Sequence, residues 1–351
     1  MNRSYLTLPN KIPLPQGINY LWNFRSLIRL VYTLQLISRI LLSLRYFARV
    51  GTSPFTSVEV IIREVDLGFI VRRMHLVRSQ AILLLIYIHM FRSLYYRRRA
   101  NIPISLQRAV ILLITIRAAF LGYVLPWGQI SFWRATVITR FLRVLPYRQD
   151  ILEWVWRGFT VRHPTLTRFF SLHYLLRLVI APLSLMHILI LHMQRSRGPI
   201  RDRNDYYIPF WPYFRVKDSW PAALVFSIIM TITLFLIPET ENLKNANPIV
   251  TPTHIKPEWY FLLFYAILRA VPSKVRGLVL MLLSIVALIV LLVSRKNLSM
   301  SPLRNLMCST FLVICILLRV LRRKPVEEPF LTVSRLLSLT YFRMAFAMVV
   351  V

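Results

Sequence analysis

Little cysteine, little acid and little glycine characterise this chain, and each shortage excludes something. Its 351 residues include two cysteines, thirteen acidic residues and eight glycines. Cys308 and Cys315 lie seven apart on one apolar segment and read as packing residues, so no disulfide framework and no cysteine-built metal cluster is expected. A cleavable signal peptide is not expected either, because the first 26 residues are polar and proline-rich. Against the thirteen acids stand 45 lysines and arginines, a formal charge of +32. That balance would suit a nucleic-acid binder if the cations gathered on one face or tail. Instead Arg29, Arg39, Arg108, Arg117, Arg177 and Arg319 interrupt apolar runs, where an arginine at mid-helix costs roughly 2.5–3.5 kcal/mol on the lenient insertion scales. No nucleic-acid partner is expected. The cations are also 38 arginines to seven lysines, and attraction to anionic lipid needs no such preference.

What the chain has in quantity is hydrophobicity: 56% apolar residues and a mean hydropathy of +0.56 predict an integral membrane protein. Candidate spans are Leu27–Leu44, Gln80–Tyr96, Ala109–Leu125, Leu172–Leu191, Ala222–Ile237, Leu278–Val293, Met307–Val320 and Leu331–Val351. The expected fold class is all-α, a polytopic membrane helical bundle of about eight transmembrane helices. Two parts are expected, 1–205 and 206–351.

Four histidines organise the first part. His75 and His89 lie on the second span region, His173 and His187 on the fourth, and each pair is fourteen residues apart. Fourteen helical residues advance about 21 Å and return to within roughly 40° of the same face. Two such helices side by side would offer two facing pairs inside a hydrocarbon core about 30 Å thick. Bis-histidine ligation of two haems, one near each surface, uses that arrangement. A lone membrane histidine more often bonds a neighbour or lines a cavity; two pairs of identical spacing argue for ligands. Pairing His75 with His173 and His89 with His187 requires parallel helices, which the span between them allows. Eight spans then put both termini beside the basic connections around Arg97–Arg99, Arg195–Arg203 and Arg295–Lys296, the matrix or cytoplasmic side. The opposite side carries the long loops Tyr46–Val65, Pro126–Arg168 and Pro238–Gly277, with most of the acids.

Several motifs sharpen this. GYVLPWGQ at Gly122–Gln129, the Ser131–Thr139 segment, LTRFF at Leu166–Phe170 and HIKPEWYF at His254–Phe261 together resemble the mitochondrial cytochrome b family, the haem-bearing membrane subunit of ubiquinol:cytochrome c oxidoreductase. The resemblance runs from about Trp22 to Val351, and only the far C-terminus is expected to fall short of the family's last helix. A PEWY tetrapeptide alone would be weak; after five spans it is specific.

The resemblance implies a function and a site. Two haems b would sit between the first four helices, the low-potential one on His75 and His173, the high-potential one on His89 and His187. Arg72 and Arg92 would pair haem propionates, as a planar guanidinium can; without the match both are ordinary helix-end arginines. Ubiquinol would be oxidised near the low-potential haem, with Glu258 of the Pro257–Tyr260 box taking a proton beside Tyr260, and with Tyr123, Trp127 and Tyr265 lining the pocket. Without the match Glu258 reads as a surface carboxylate after Pro257, and the aromatics as an interface belt. Ubiquinone would be reduced near the other haem, with His192 and Asp218 supplying protons and Lys217 and Ser26 as secondary contacts. His163 and His254 read as solvated loop residues. Implied partners are an iron–sulfur subunit, a cytochrome c1-type subunit, quinone and an anionic lipid such as cardiolipin, in a dimeric complex of the mitochondrial inner membrane with both termini on the matrix side, coupled to proton translocation. A haem-free polytopic transporter and a non-functional translation product are the alternatives.

One departure stands out. The family packs its haems against glycines on the first and third helices, because only a residue without Cβ lets the backbone approach a porphyrin. The matching positions hold Arg25, Arg39, Arg108 and Gly122. Arg29, Arg78, Arg134, Arg157, Arg195, Arg276, Arg322 and Arg323 also stand where the family usually has glycine, whereas Arg72, Arg92, Arg168 and Arg269 stand where it has arginine. Decay of a gene copy would not convert one residue type into one other while sparing the ligands. The pattern points to translation under the wrong genetic code, many written arginines being decoded as glycine or serine. With about 25 of the 38 arginines so reassigned, the net charge falls from +32 to near +7.

Overall fold

A computed structural model describes residues 13–48, 53–96, 102–193, 206–236, 239–253, 255, 257–294, 302–325 and 327–350. Eight helices among them are long and apolar enough to cross a membrane, and each carries a span expected from sequence. They are α1 (Phe24–Ser43), α3 (Gly68–Tyr95), α4 (Ile102–Val124), α7 (His163–Met193), α8 (Arg215–Phe235), α10 (Lys274–Val293), α11 (Pro302–Leu321) and α12 (Phe330–Val350). Shorter helices occupy the segments read as loops: α2 (Pro54–Arg63), α5 (Gln129–Arg140), α6 (Arg148–Trp156) and α9 (Leu262–Arg269).

All eight begin before the residue hydropathy indicated, α3 and α7 furthest so. α3 starts at Gly68, twelve residues before Gln80, although its first turns carry Arg72 and Arg73. Arg73 makes that affordable by donating to the carbonyls of Thr233 and Leu234 at 3.3 Å and lying over the Phe69 ring at 4.0 Å. α7 starts at His163, which corrects the loop assignment of that histidine. Pro164 follows it at a position where a missing N–H costs nothing, and the His163 ring lies 6.1 Å from that of Trp127. His254 and the basic connections at 97–99, 195–203 and 295–296 lie outside the described residues.

The contacts divide the chain into two interleaved compact units, 1–45 with 60–96 and 181–237, and 46–59 with 97–180 and 238–351. In the first, α1 lies along α3 and α8 packs against both. Polar side chains tie α1 to α3: Gln35 Nε2 donates to the His75 carbonyl at 2.8 Å, and Arg78 Nη1 to the Leu34 carbonyl at 2.9 Å. A short antiparallel ladder pairs Pro13–Pro15 with Tyr207–Pro209, with Leu14 opposite Ile208.

The second unit has a core in which Phe120, Val124, Trp127, Phe132, Trp156, Leu166 and Phe169 come together from α4, α5, α6 and the start of α7. Its polar atoms are satisfied: Trp156 Nε1 donates to Thr139 Oγ1 at 2.9 Å, and Thr165 Oγ1 to the Trp156 carbonyl at 2.8 Å. Further along, the buried Tyr341 hydroxyl of α12 donates to the Ser284 carbonyl of α10 at 2.9 Å, and its ring meets Phe311 of α11.

Candidate functional site

The histidines come first because their helices are fixed. His75 and His89 are both on α3, and His173 and His187 are both on α7. A metal-ligating imidazole ordinarily donates its other ring N–H to a nearby acceptor, which sets the tautomer. His173 Nδ1 lies 2.7 Å from the Ala118 carbonyl; a carbonyl only accepts, so Nδ1 carries the proton and the ligating lone pair is on Nε2. His75 Nδ1 lies 2.8 Å from Ser38 Oγ. Ser38 Oγ also lies 3.1 Å from the Gln35 carbonyl, so a hydroxyl sits between His75 Nδ1 and the α1 backbone. Gly122 fits the same purpose: a Cβ there would come within 2.6 Å of His173 Cε1, so glycine alone lets α4 pass this close to the imidazole. At His173 the nitrogen left to hold iron is therefore Nε2.

The other positions at which glycine was expected carry arginine. Arg39 and Arg78 are buried, and Arg25 and Arg108 are half-buried. Arg78 spans from α3 to α1 through the two carbonyls of Met74 and Leu34. Arg92 is buried, donates to the Leu21 carbonyl at 3.4 Å and lies over the Trp22 ring at 4.7 Å. Arg72 is half-buried, one turn before His75.

In the second unit the GYVLPWGQ segment closes α4 and opens α5. Trp127 takes a left-handed backbone (φ 57°). Gly128 is then pressed against the main chain of residue 242, where a Cβ would lie 2.3 Å from the Asn242 carbonyl oxygen. Gln129 N donates to the Lys244 carbonyl at 2.9 Å and Ala246 N to the Trp127 carbonyl at 3.2 Å, which clips the loop to the start of α5. Glu258 stands just before a single tight turn, Trp259–Phe261, that leads into α9.

Arg134 on α5 brings distant residues together. Its Nη1 meets Glu258 Oε1 at 2.7 Å and its Nη2 meets Glu239 Oε1 at 3.1 Å, and the guanidinium lies over the Tyr123 ring at 4.4 Å. The Tyr123 hydroxyl donates to Glu239 Oε2 at 2.8 Å. Burial pushes the Glu258 carboxyl above its ordinary range; Arg134 pulls it back and Glu239 adds to the rise. Tyr260 is buried against Phe261, and Trp127 against Phe132. Tyr265 has other neighbours: it meets Phe141 edge-on at 5.8 Å and lies under Arg322 at 4.7 Å, and burial raises its phenol. Sequence reading missed Glu239. Its only signal was an acid, among thirteen, just beyond the fifth span.

In the first unit the other quinone candidates also cluster. Asp218 lies in the first turn of α8, within hydrogen-bonding reach of Ser26, with Arg29, Lys217 and Arg215 as the nearby charges. Asn23 Nδ2 donates to the Lys217 carbonyl at 2.8 Å, and Lys217 Nζ donates to the Ile18 carbonyl. His192 is on α7, and its side chain is outside the described residues.

Residues 10–195 match the family model described as cytochrome b/b6/petB, and residues 245–342 match the C-terminal model, cytochrome b (C-terminal)/b6/petD. The chain is 42% identical to a cytochrome b of Albinaria caerulea, over 98% of this chain and 95% of that one. The chain belongs to the cytochrome b family. A solved structure described as hyperthermophilic respiratory Complex III is similar to it with a TM-score of 0.88 at 25% identity, covering 96% of this chain and 92% of that one. As a cytochrome b, the chain serves electron transfer in a quinol:cytochrome c oxidoreductase.

Proposed function

We propose that this cytochrome b holds two haems b, oxidises ubiquinol at one membrane face and reduces ubiquinone at the other. The observation that carries the reading is that His75 and His173 each hold Nδ1 against a local partner, Ser38 Oγ and the Ala118 carbonyl, which leaves Nε2 for a ligand. His75 with His173, and His89 with His187, would hold the haems, with Arg72 and Arg92 toward the propionates. Bound there, haem supplies one-electron transfer across the membrane. The protein's own residues handle protons. Glu258, its carboxyl raised by burial, accepts one from the quinol hydroxyl, and Tyr260, Tyr123, Trp127 and Tyr265 belong to the walls around that site. Asp218, with Ser26 and Lys217 beside it, and His192 further along α7 deliver protons to quinone. Proton release on one side and uptake on the other then couple electron flow to translocation.

The same reading makes this the catalytic membrane subunit of a dimeric complex in the mitochondrial inner membrane, working with an iron–sulfur subunit, a cytochrome c1-type subunit and anionic lipid such as cardiolipin. Both termini face the matrix, and the chain divides into a haem-holding part, 1–205, and a C-terminal part, 206–351. It also requires small residues beside the haems, so the arginines written at 25, 39 and 108 would be decoded as glycine or serine. The deciding measurement is a reduced-minus-oxidised spectrum of the native complex. A b-type α-band with two haems per chain is expected; its absence would leave a haem-free transporter or a non-functional product.

A further inference from the structure

Glu239 stands four residues beyond the end of α8, with about half of its side chain in solvent (55%), whereas the Glu258 side chain is 13% exposed. One guanidinium separates them. Glu258 uses Nη1 of Arg134, and Glu239 uses Nη2 and gives its second oxygen to the Tyr123 hydroxyl. The other charges on that turn are engaged with each other, Glu241 with Lys244 at 2.6 Å. A buried carboxylate, a half-exposed carboxylate and a phenol therefore meet around residue 134, within a single compact unit.

We infer that Glu239 is the carboxylate through which Glu258 exchanges its proton with solvent, and that residue 134 gates the exchange. The inference rests on Glu258 being the proton acceptor in quinol oxidation. The O–H bond of quinol breaks, its proton forms a bond to a Glu258 oxygen, and the electrons leave to the iron–sulfur partner and across the membrane. The Glu258 proton then passes to the Glu239 carboxylate and from there to water, so both acids return to their starting state. With arginine at 134, protonating Glu258 breaks its ion pair with Nη1. With glycine at 134 the two carboxylates would have no cation between them, and two such groups share a proton readily. The clip between Trp127–Gln129 and Lys244–Ala246 holds the turn that follows Glu239 against the start of α5 in either case, because it is made of main-chain groups.

The test is the pH profile of quinol-driven cytochrome c reduction in the assembled complex, read across about pH 5 to 9. Glu239→Gln is expected to lower the maximal rate on the order of tenfold and to move the acid limb to lower pH, because removing a negative neighbour favours ionised Glu258. Glu239→Asp restores the exchange. The arginine form at 134 has its acid limb at lower pH than the Arg134→Gly form. A Glu239→Gln complex with intact haem bands and the parent's rate and profile overturns the relay, and identical limbs in the two forms at 134 overturn the gate. A parent complex without haem bands overturns the electron-transfer reading, and the relay with it.

Discussion

At Gly122 a single methyl group separates two outcomes. Alanine there would press its Cβ to 2.6 Å from His173 Cε1, and overpacking of this kind costs about 1–3 kcal/mol. The imidazole can yield only by breaking its bond to the Ala118 carbonyl, which sets its tautomer. Gly122→Ala is therefore expected to halve the haem content, with loss of the low-potential component in a redox titration. Glu258 gives the second prediction at this scale. Its carboxyl is raised, so its proton-accepting form fills only as pH climbs through a value above the ordinary glutamate range. Quinol oxidation should rise with pH through that window, and Glu258→Gln should abolish the limb and lower the rate roughly a hundredfold, measured as cytochrome c reduction. Glu258 was picked out by its tetrapeptide. Its partners were not, since Arg134 lies 124 residues and Glu239 nineteen residues away, and neither spacing has a periodicity to follow.

Among the elements, the spans were readable and their ends were not. Hydropathy finds the segment that faces lipid, but α3 and α7 continue past it where polar groups meet protein partners, as Arg73 does with Thr233 and Leu234. α5 and α6 escaped notice for a related reason: at twelve and nine residues they are too short to span, and their apolar side chains feed the Trp127–Trp156 core. Neighbouring membrane helices rely on interhelical polar contacts as well as on shape. The Tyr341 hydroxyl on the Ser284 carbonyl is such a contact, fully buried. Tyr341→Phe should cost about 0.5–1.5 kcal/mol, seen as a lower midpoint of thermal inactivation with unchanged haem spectra.

For the molecule as a whole, the arginines are the open account. Arg39, Arg78 and Arg134 sit buried, and each asks the fold to remove a guanidinium from water. A tandem mass spectrum of the native protein over Ile28–Leu42 is expected to show a residue of glycine or serine mass at position 39; arginine there would sink the decoding proposal. Reassignment of about 25 arginines would leave the chain near +7, an ordinary value for a membrane subunit with basic loops. The histidines, PWGQ and PEWY were legible in either case, because none of them depends on how an arginine codon is read. One wall of the proposed quinol-oxidation site shares that immunity. Trp127–Gln129 and Lys244–Asn247 contain no arginine and are stitched together by peptide groups, with Gln129 adding bonds from its side chain to the Val250 carbonyl and the Asn247 N–H. A small molecule shaped to this wall would keep its footing under either translation, which makes it a probe that can be designed before the alphabet of this chain is settled.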